Sequence, residues 1–321
     1  MNPVLANHPV VRDFMWMTKY TSPYGTEQER FGNFFTSKGF QQDSHGNLVL
    51  DIGKSTTIFA AHMDTADRQL SRVRRIVNGD LVATDGSTIL GADDRAGLSV
   101  LLHLLRHKIP GRYILFVGEE AGRQGSISAH ADGLGDGYQR MICWDRMGED
   151  SIITHQMGER SCSKEFAGAL KDMYRGLDSN FLLTEDPSGT YTDSYSFLPT
   201  IPECTNISIG YEMQHTTSEF QDVRFLAHMA DASLHIPWDV LPTYRDPHMS
   251  EFSRIRWDDN DWTYYDNMNT QRYSRNYNSI EDLEVSAAWR TLTVNDVREF
   301  LRHYPEEAAQ ELYSRITEAY Q

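Results

Sequence analysis

Apolar residues along the chain recur at two spacings. In "RAGLSVLLHLLRHK" (95–108) they fall at Leu98, Leu101, Leu102 and Leu105, which predicts a helix with a wide buried face. "KEFAGALKDMYRGL" (164–177) and "EFQDVRFLAHMADASLHI" (219–236) read as helices too. So does "PVVRDFMWMTKYT" near the N-terminus. In "TSPYGTEQERFGNFFTSKGF", Gly25 and Thr26 mark a further helix start, Glu29 completes a capping box with Thr26, and Gly39 is the stop. Short, nearly continuous apolar runs predict buried strands: "RYILFVG" (112–118), "RMICWD" (140–145) and "CTNISIG" (204–210). "NLVLDIG" (47–53) and "TTIFAAH" (56–62), with only "KS" between them, read as a pair of strands. "RVRRIVNGDLVATDG" predicts a small hairpin about Asn78–Asp80. Strands alternating with amphipathic helices predict an α/β fold, a central sheet with helices on both faces and ligands gathered at the strands' carboxyl ends.

The texture changes near Thr243. "RWDDNDWTYYDNMNTQRYSRNYNS" is polar, aromatic and irregular, and two helices are expected after it, opened by Thr293 and Pro305. The expected organisation is a main domain over 1–243 and a C-terminal extension over 244–321, whose aromatics either pack onto the main domain or present a partner surface. The formal net charge of -16 argues against nucleic acid or an anionic membrane as the main partner. Cys143, Cys162 and Cys204 follow no metal or redox spacing and read as buried thiols of a reducing compartment. No secretory leader and no membrane-length apolar run is evident, so a cytoplasmic location is expected.

The chemistry gathers where the predicted strands end. "AAHMDTAD" places His62 after a strand with Asp64 two residues on. "LGADDRAG" sets Asp93 and Asp94 before the leucine-rich helix. "FVGEEAG" sets Glu119 and Glu120 after the next strand, "ICWDR" brings Asp145, and "GYEMQHTTSE" brings His215. Each piece alone has an ordinary reading: a surface turn, an N-cap pair beside a helix dipole, a solvated acid pair, a loop histidine. Together they converge on one crevice rich in carboxylate. Such like charges repel and resist burial unless a cation joins them. Imidazole and carboxylate without thiolate suit zinc, with manganese or cobalt as alternatives.

In this order the motifs resemble the di-zinc exopeptidases of the aminopeptidase S/Y type and their tripeptidase T-like relatives, over about residues 10 to 240. "ILGADDRAG" is close to the tripeptidase T-like form, with Arg95 where Lys is usual. "TDSYSFLPTIPECTNISIGYEMQHTTSE" looks like the aminopeptidase S/Y active-site segment. The resemblance implies a zinc-aminopeptidase-like fold with a mixed, mostly parallel sheet. It implies two zinc ions, one held by His62 and Asp145, the other by Glu120 and His215, with Asp93 bridging. It implies that the Asp93–Asp94 peptide is cis, that Glu119 is the general base toward a water bridging the metals, and that Asp64 fixes the tautomer of His62 from behind. Relatives of the tripeptidase T kind insert a lid domain between the third acid and the last histidine. Here Asp145 and His215 are only 70 residues apart, and that stretch must already supply a helix and a strand, so a lidless plan is expected.

The expected activity is therefore peptide hydrolysis, most simply by an aminopeptidase. A carboxypeptidase or N-acyl amino-acid amidohydrolase on the same site is the alternative, and a non-catalytic metal-binding scaffold with an interaction tail is a third reading. Thr192, Asp193 and Ser194 are candidates for the pocket or for ordinary loop bonding. Tyr211 is a candidate for the pocket rim. His155, the His103–His107 pair and the Asn206 glycosylation match read as packing or chance.

Overall fold

The computed structural model describes residues 1–249. Everything expected of the chain beyond 249, including the two tail helices, lies outside the described residues. In chain order the elements are α1 (Pro3–Ala6), α2 (Pro9–Met17), α3 (Asn33–Thr36), β1 (Gln41–Gln42), β2 (Leu48–Ile52), β3 (Thr57–His62), β4 (Arg75–Asn78), β5 (Leu81–Thr84), α4 (Ala92–Arg106), β6 (Gly111–Phe116), α5 (Gln124–Ala131) and β7 (Arg140–Arg146). Then come β8 (Ser151–Ile153), β9 (His155–Gln156), β10 (Glu159–Arg160), α6 (Lys164–Leu177), β11 (Thr184–Asp186), β12 (Glu203–Ser208), β13 (Tyr211–Glu212), β14 (Phe220–Asp222) and α7 (Val223–Ser233).

Eight strands form the central sheet in the order β1-β2-β6-β3-β7-β12-β8-β11. The middle four, β6-β3-β7-β12, run parallel, which buries both their faces. Side-chain alternation divides them between two apolar layers. Phe59, Ala61, Tyr113, Leu115, Ile142 and Trp144 face the core under α2, α4 and α7. Ile58, Ala60, Ile114, Phe116, Met141 and Cys143 face the smaller core of Ala129, Phe197 and Ile201. Helices thus cover both faces. Residues 147–210 contribute β8, β11 and β12 to this same sheet and α6 packed against it, and no separate lid is inserted there.

Three local expectations are corrected. β2 and β3 both form but do not pair with each other; β6 runs between them, antiparallel to β2 and parallel to β3. The Thr26–Glu29 capping box is absent. Thr26 Oγ1 donates to the Pro23 carbonyl, and the carboxylate that reaches back, to Gly25 N at 2.6 Å, is that of buried Glu27. A π-helical turn, Gln28–Gly32, follows. In "EFQDVRFLAHMADASLHI" the first residues form β14, and α7 starts only at Val223, where Asp222 caps it. The hairpin about Asn78–Asp80 and α6 form as the pattern predicts. β4, β5, β13 and β14 make a second, antiparallel sheet.

Packed chain continues past Thr243. Arg140 donates to the Leu241 carbonyl and to Thr243 Oγ1, and buried Glu203 accepts from Tyr244 N at 2.7 Å and Arg245 N at 3.1 Å. All three cysteines are buried free thiols. Among the described residues no helix is long and apolar enough to cross a membrane.

Candidate metal centre

β3, β6 and β7 end side by side, with His62 in register with Phe116. Their carboxyl ends therefore present His62, Glu119–Glu120 and Asp145 to one place. α4 brings Asp93 and Asp94 to the same place through a cis Asp93–Asp94 peptide bond. His215 arrives from the loop between β13 and β14 of the second sheet, in left-handed backbone with φ 62°. This is one connection later than direct attachment to β12.

Asp93 sits at the centre. Its Oδ1 lies 2.9 Å from His62 Nε2 and its Oδ2 lies 3.1 Å from His215 Nε2. Asp145 Oδ1 is 3.8 Å from His62 Nε2, and Glu120 Oε1 is 2.8 Å from His215 Nε2. Donor atoms of His62, Asp94 and Asp145 lie mutually within 4.8 Å, as do those of His62, Asp93 and Glu120. Asp94 also has backbone duties: Oδ1 accepts from Gly97 N at 2.9 Å and Oδ2 from His62 N at 3.3 Å. A Cβ at position 97 would stand 2.4 Å from that Oδ1, so glycine is required there. Asp64 is fully buried. Its backbone carbonyl accepts from His62 Nδ1 at 3.1 Å, its Oδ1 lies 3.3 Å from the same nitrogen, and its two carboxylate oxygens accept from Glu119 N and Glu120 N at 3.0 Å each. It orients the imidazole and clamps the acid pair at once.

The electrostatics are strained by design of the cluster. Burial pushes the Glu119 carboxyl up to about 10 against His62, with Asp193, Asp145 and Glu120 adding to the rise. Burial and the Asp93 charge push Asp145 up to about 8. Burial lowers the His62 imidazole, but its bonds to Asp145, Asp64 and Asp93 outweigh this and hold it well above its ordinary value. Bonds from Asp93 and Glu120 raise His215 to about 11. Burial raises Asp93, yet the two imidazoles win and hold it well below the carboxylate range. Burial thus favours protons on Glu119 and Asp145 as long as no cation offsets the excess of carboxylate over imidazole. The donors are all nitrogen and oxygen, crowded and mostly buried, so the set fits a borderline or hard divalent cation.

Several supporting residues carry little sequence signal. Asn206 accepts from Asp145 N and donates to the Asp145 carbonyl, 2.7 Å each, and so fixes the end of β7. Tyr211, buried, donates to Asp145 Oδ1 at 3.1 Å. Glu219 accepts from four consecutive backbone N–H groups, Leu90, Gly91, Ala92 and Asp93, at 2.7 to 3.2 Å. It satisfies the open start of α4 and sets the position of Asp93. Its place four residues after His215 was the available signal. Thr192, Asp193 and Ser194 are buried, and Thr192 lines the cleft. Burial pushes the Asp193 carboxyl up to about 7. His103 and His107 stand apart: His103 pairs with Asp231 at 2.9 Å, and His107 donates to the His103 carbonyl. His155, half-buried, bonds Thr154 Oγ1.

A cleft opens beside the cluster, with Asp93, Glu119, Asp145 and His215 among its walls.

No family model matches the chain. A stretch of 92 residues is 36% identical to the uncharacterised protein YqjE of Bacillus subtilis, covering 25% of this chain and 24% of that one. Eighty residues are 44% identical to a peptidase T of Aeromonas salmonicida, covering 22% of this chain and 18% of the relative. The chain thus spans about a quarter or less of the length of these curated relatives. Among solved structures, the aminopeptidase PepT of Bacillus cereus superposes with a TM-score of 0.59 at 18% identity, over 70% of this chain and 96% of that one. An aminopeptidase of the archaeon Desulfurococcus kamchatkensis gives 0.57 at 16%, over 73% and 95%. A tripeptidase of Staphylococcus aureus gives 0.55 at 16%, over 70% and 96%. At these identities the likeness is one of fold, and that fold is the aminopeptidase and tripeptidase one.

Proposed function

We propose that the cleft hydrolyses peptide bonds with the help of divalent cations, and that the chain is an aminopeptidase. The observation that carries this reading is the Asp93 carboxylate between His62 and His215, with Glu119 buried beside it in a cleft wall. His62 and Asp145 would hold one zinc ion, Glu120 and His215 the other, and Asp93 both. Bound there, the cations would polarise the scissile carbonyl and acidify water.

The chain's own residues do the rest. Asp64 holds the imidazole of His62 from Nδ1, so that Nε2 is turned to the cluster. Asp64 also fixes the backbone of Glu119, which leaves only that side chain free to move a proton. Burial alone would keep Glu119 protonated, and the charge of the bound cations would bring its raised carboxyl back down to the ionised form. So ionised, it takes a proton from the attacking water as the water oxygen joins the carbonyl carbon. It returns the proton to the amine as the carbon–nitrogen bond breaks. Tyr211 and Asn206 hold Asp145 still throughout. A carboxypeptidase or N-acyl amidohydrolase would use the same groups and differ only in what the cleft walls recognise.

A panel of free-amino, blocked-amino and N-acylated peptides tests the reading, run with zinc, manganese or cobalt added. The free-amino members should be cleaved from the N-terminus. Glu119→Gln should keep fold and cation content and lose roughly 10²- to 10⁴-fold in kcat, the range of a general base. Turnover confined to N-acylated members would move the assignment to an amidohydrolase, and an active Glu119→Gln would remove the base.

A further inference from the structure

One guanidinium in the cleft has no part in this hydrolysis. Arg146 follows Asp145 at the end of β7 and lines the same cleft as Glu119. Among the described residues that line it, only Arg146 and His215 carry positive charge. His215 is taken up by Asp93 and Glu120. Arg146 is held from one edge: Nη2 donates to Asp186 Oδ2 at 3.2 Å and to Ser188 Oγ at 3.4 Å. Asp186 is fixed in turn by Ser188 N at 2.8 Å and Ser188 Oγ at 2.6 Å. Arg146 Nε is buried and has no hydrogen-bond partner among the described residues. Nε is closed to a ligand, but the Asp186 pair leaves about 22% of the side chain exposed, and a guanidinium so anchored can offer its remaining N–H groups to a planar acceptor with two oxygens. The wall next to it is equally fixed. Gly189 lies so close to β8 and β9 that a Cβ would stand 2.4 Å from both the His155 carbonyl and Ile153 Cγ2.

We propose that Arg146 sets specificity by docking a carboxylate of a short peptide beside the bond that is cut. In a chain of net charge -16, with acids along the rest of the cleft, an anionic group needs such a local anchor. The carboxylate is either the free C-terminus of a dipeptide-sized substrate or an acidic side chain next to the scissile bond. This inference rests on the peptidase reading for what lies in the cleft, and it is tested by binding so that the two can fail separately.

The experiment uses the full chain carrying Glu119→Gln, zinc-loaded, and titrates Leu-Gly, Leu-glycinamide and Glu-glycinamide by calorimetry. Leu-Gly is expected to bind roughly 10- to 100-fold tighter than Leu-glycinamide, the worth of a charge-assisted bond. Glu-glycinamide recovers that affinity if a side-chain carboxylate also serves, and stays weak if only the C-terminus does. Adding Arg146→Gln should erase the discrimination, and Arg146→Lys, which keeps the charge without the fork, should retain part of it. Equal or absent binding of all three peptides, or full discrimination in a folded Arg146→Gln or Arg146→Lys protein, overturns the proposal. Discrimination in a protein whose parent hydrolyses no peptide would overturn only the peptidase reading.

Discussion

At the scale of single residues, the cluster is built from pairs with different work. Glu119 and Glu120 are adjacent in sequence, yet Asp64 grips both backbones and lets their side chains diverge, Glu120 to His215 and Glu119 to the cleft wall. The approximate order of the acids and histidines was legible because each lies at the end of a predicted strand or, for Asp93 and Asp94, at the start of a predicted helix. Their supports were not. Asn206 carries a glycosylation-like triplet and sits in a buried strand, so nothing local reveals that it brackets Asp145 from 61 residues away. Glu219 is the sharpest case. Four N–H groups point at one carboxylate, and glutamine would set its own NH₂ against donors. Glu219→Gln is therefore expected to destabilise the fold by about 1–3 kcal/mol, read as a lower urea midpoint with unchanged slope. An unshifted midpoint would show that Asp93 is positioned by other means.

Elements were legible where one periodicity ran long enough, as in α4 and α6, and where a turn was marked, as at Asn78–Asp80. They were misread where long-range pairing decides. β2 and β3 are neighbours in sequence but not in the sheet, because the parallel β6 is inserted between them, and no local pattern encodes that order. The helix start near Thr26 failed for a related reason. Glu27 turns inward to accept from Gly25 N and from Gly118 N, 91 residues on, and so ties the N-terminal segment to the end of β6. Burial raises the Glu27 carboxyl above its ordinary 4.5, the Asp64 charge adds to this, and the backbone bonds oppose it. The folded state then holds that proton more tightly than the unfolded chain does. Its contribution is complete below pH 4.5 and is lost as the pH rises through the raised value. Glu27→Gln should flatten this decline, so that the melting temperatures of variant and parent converge or cross between acid and neutral pH. Parallel melting curves over that range would assign the pH dependence elsewhere.

For the whole molecule, two apolar layers on either side of a parallel sheet leave one edge of the core, the strand carboxyl ends, to carry buried charge. There Asp64, Asp93, Asp94, Glu119, Asp145 and Asp193 meet, among the imidazoles of the described residues, only His62 and His215, and the pull on protons toward Glu119 and Asp145 is the consequence of burial together with that imbalance. A cation that binds the folded cluster and not the unfolded chain must shift folding by mass action, about 2.7 kcal/mol at a hundredfold excess over its Kd. Chelator treatment should lower Tm, and zinc restored at rising concentration should raise it progressively, with elemental analysis approaching two ions per chain. Asp93 bonds both histidines, one through each carboxylate oxygen, so Asp93→Ala should lose the zinc-dependent part of Tm and both ions together. Loss of one ion alone would place the two cations on independent ligand sets. A Tm indifferent to chelator and to added zinc, manganese and cobalt would mean that protons suffice to hold the acids together, and the catalytic reading would fall with it.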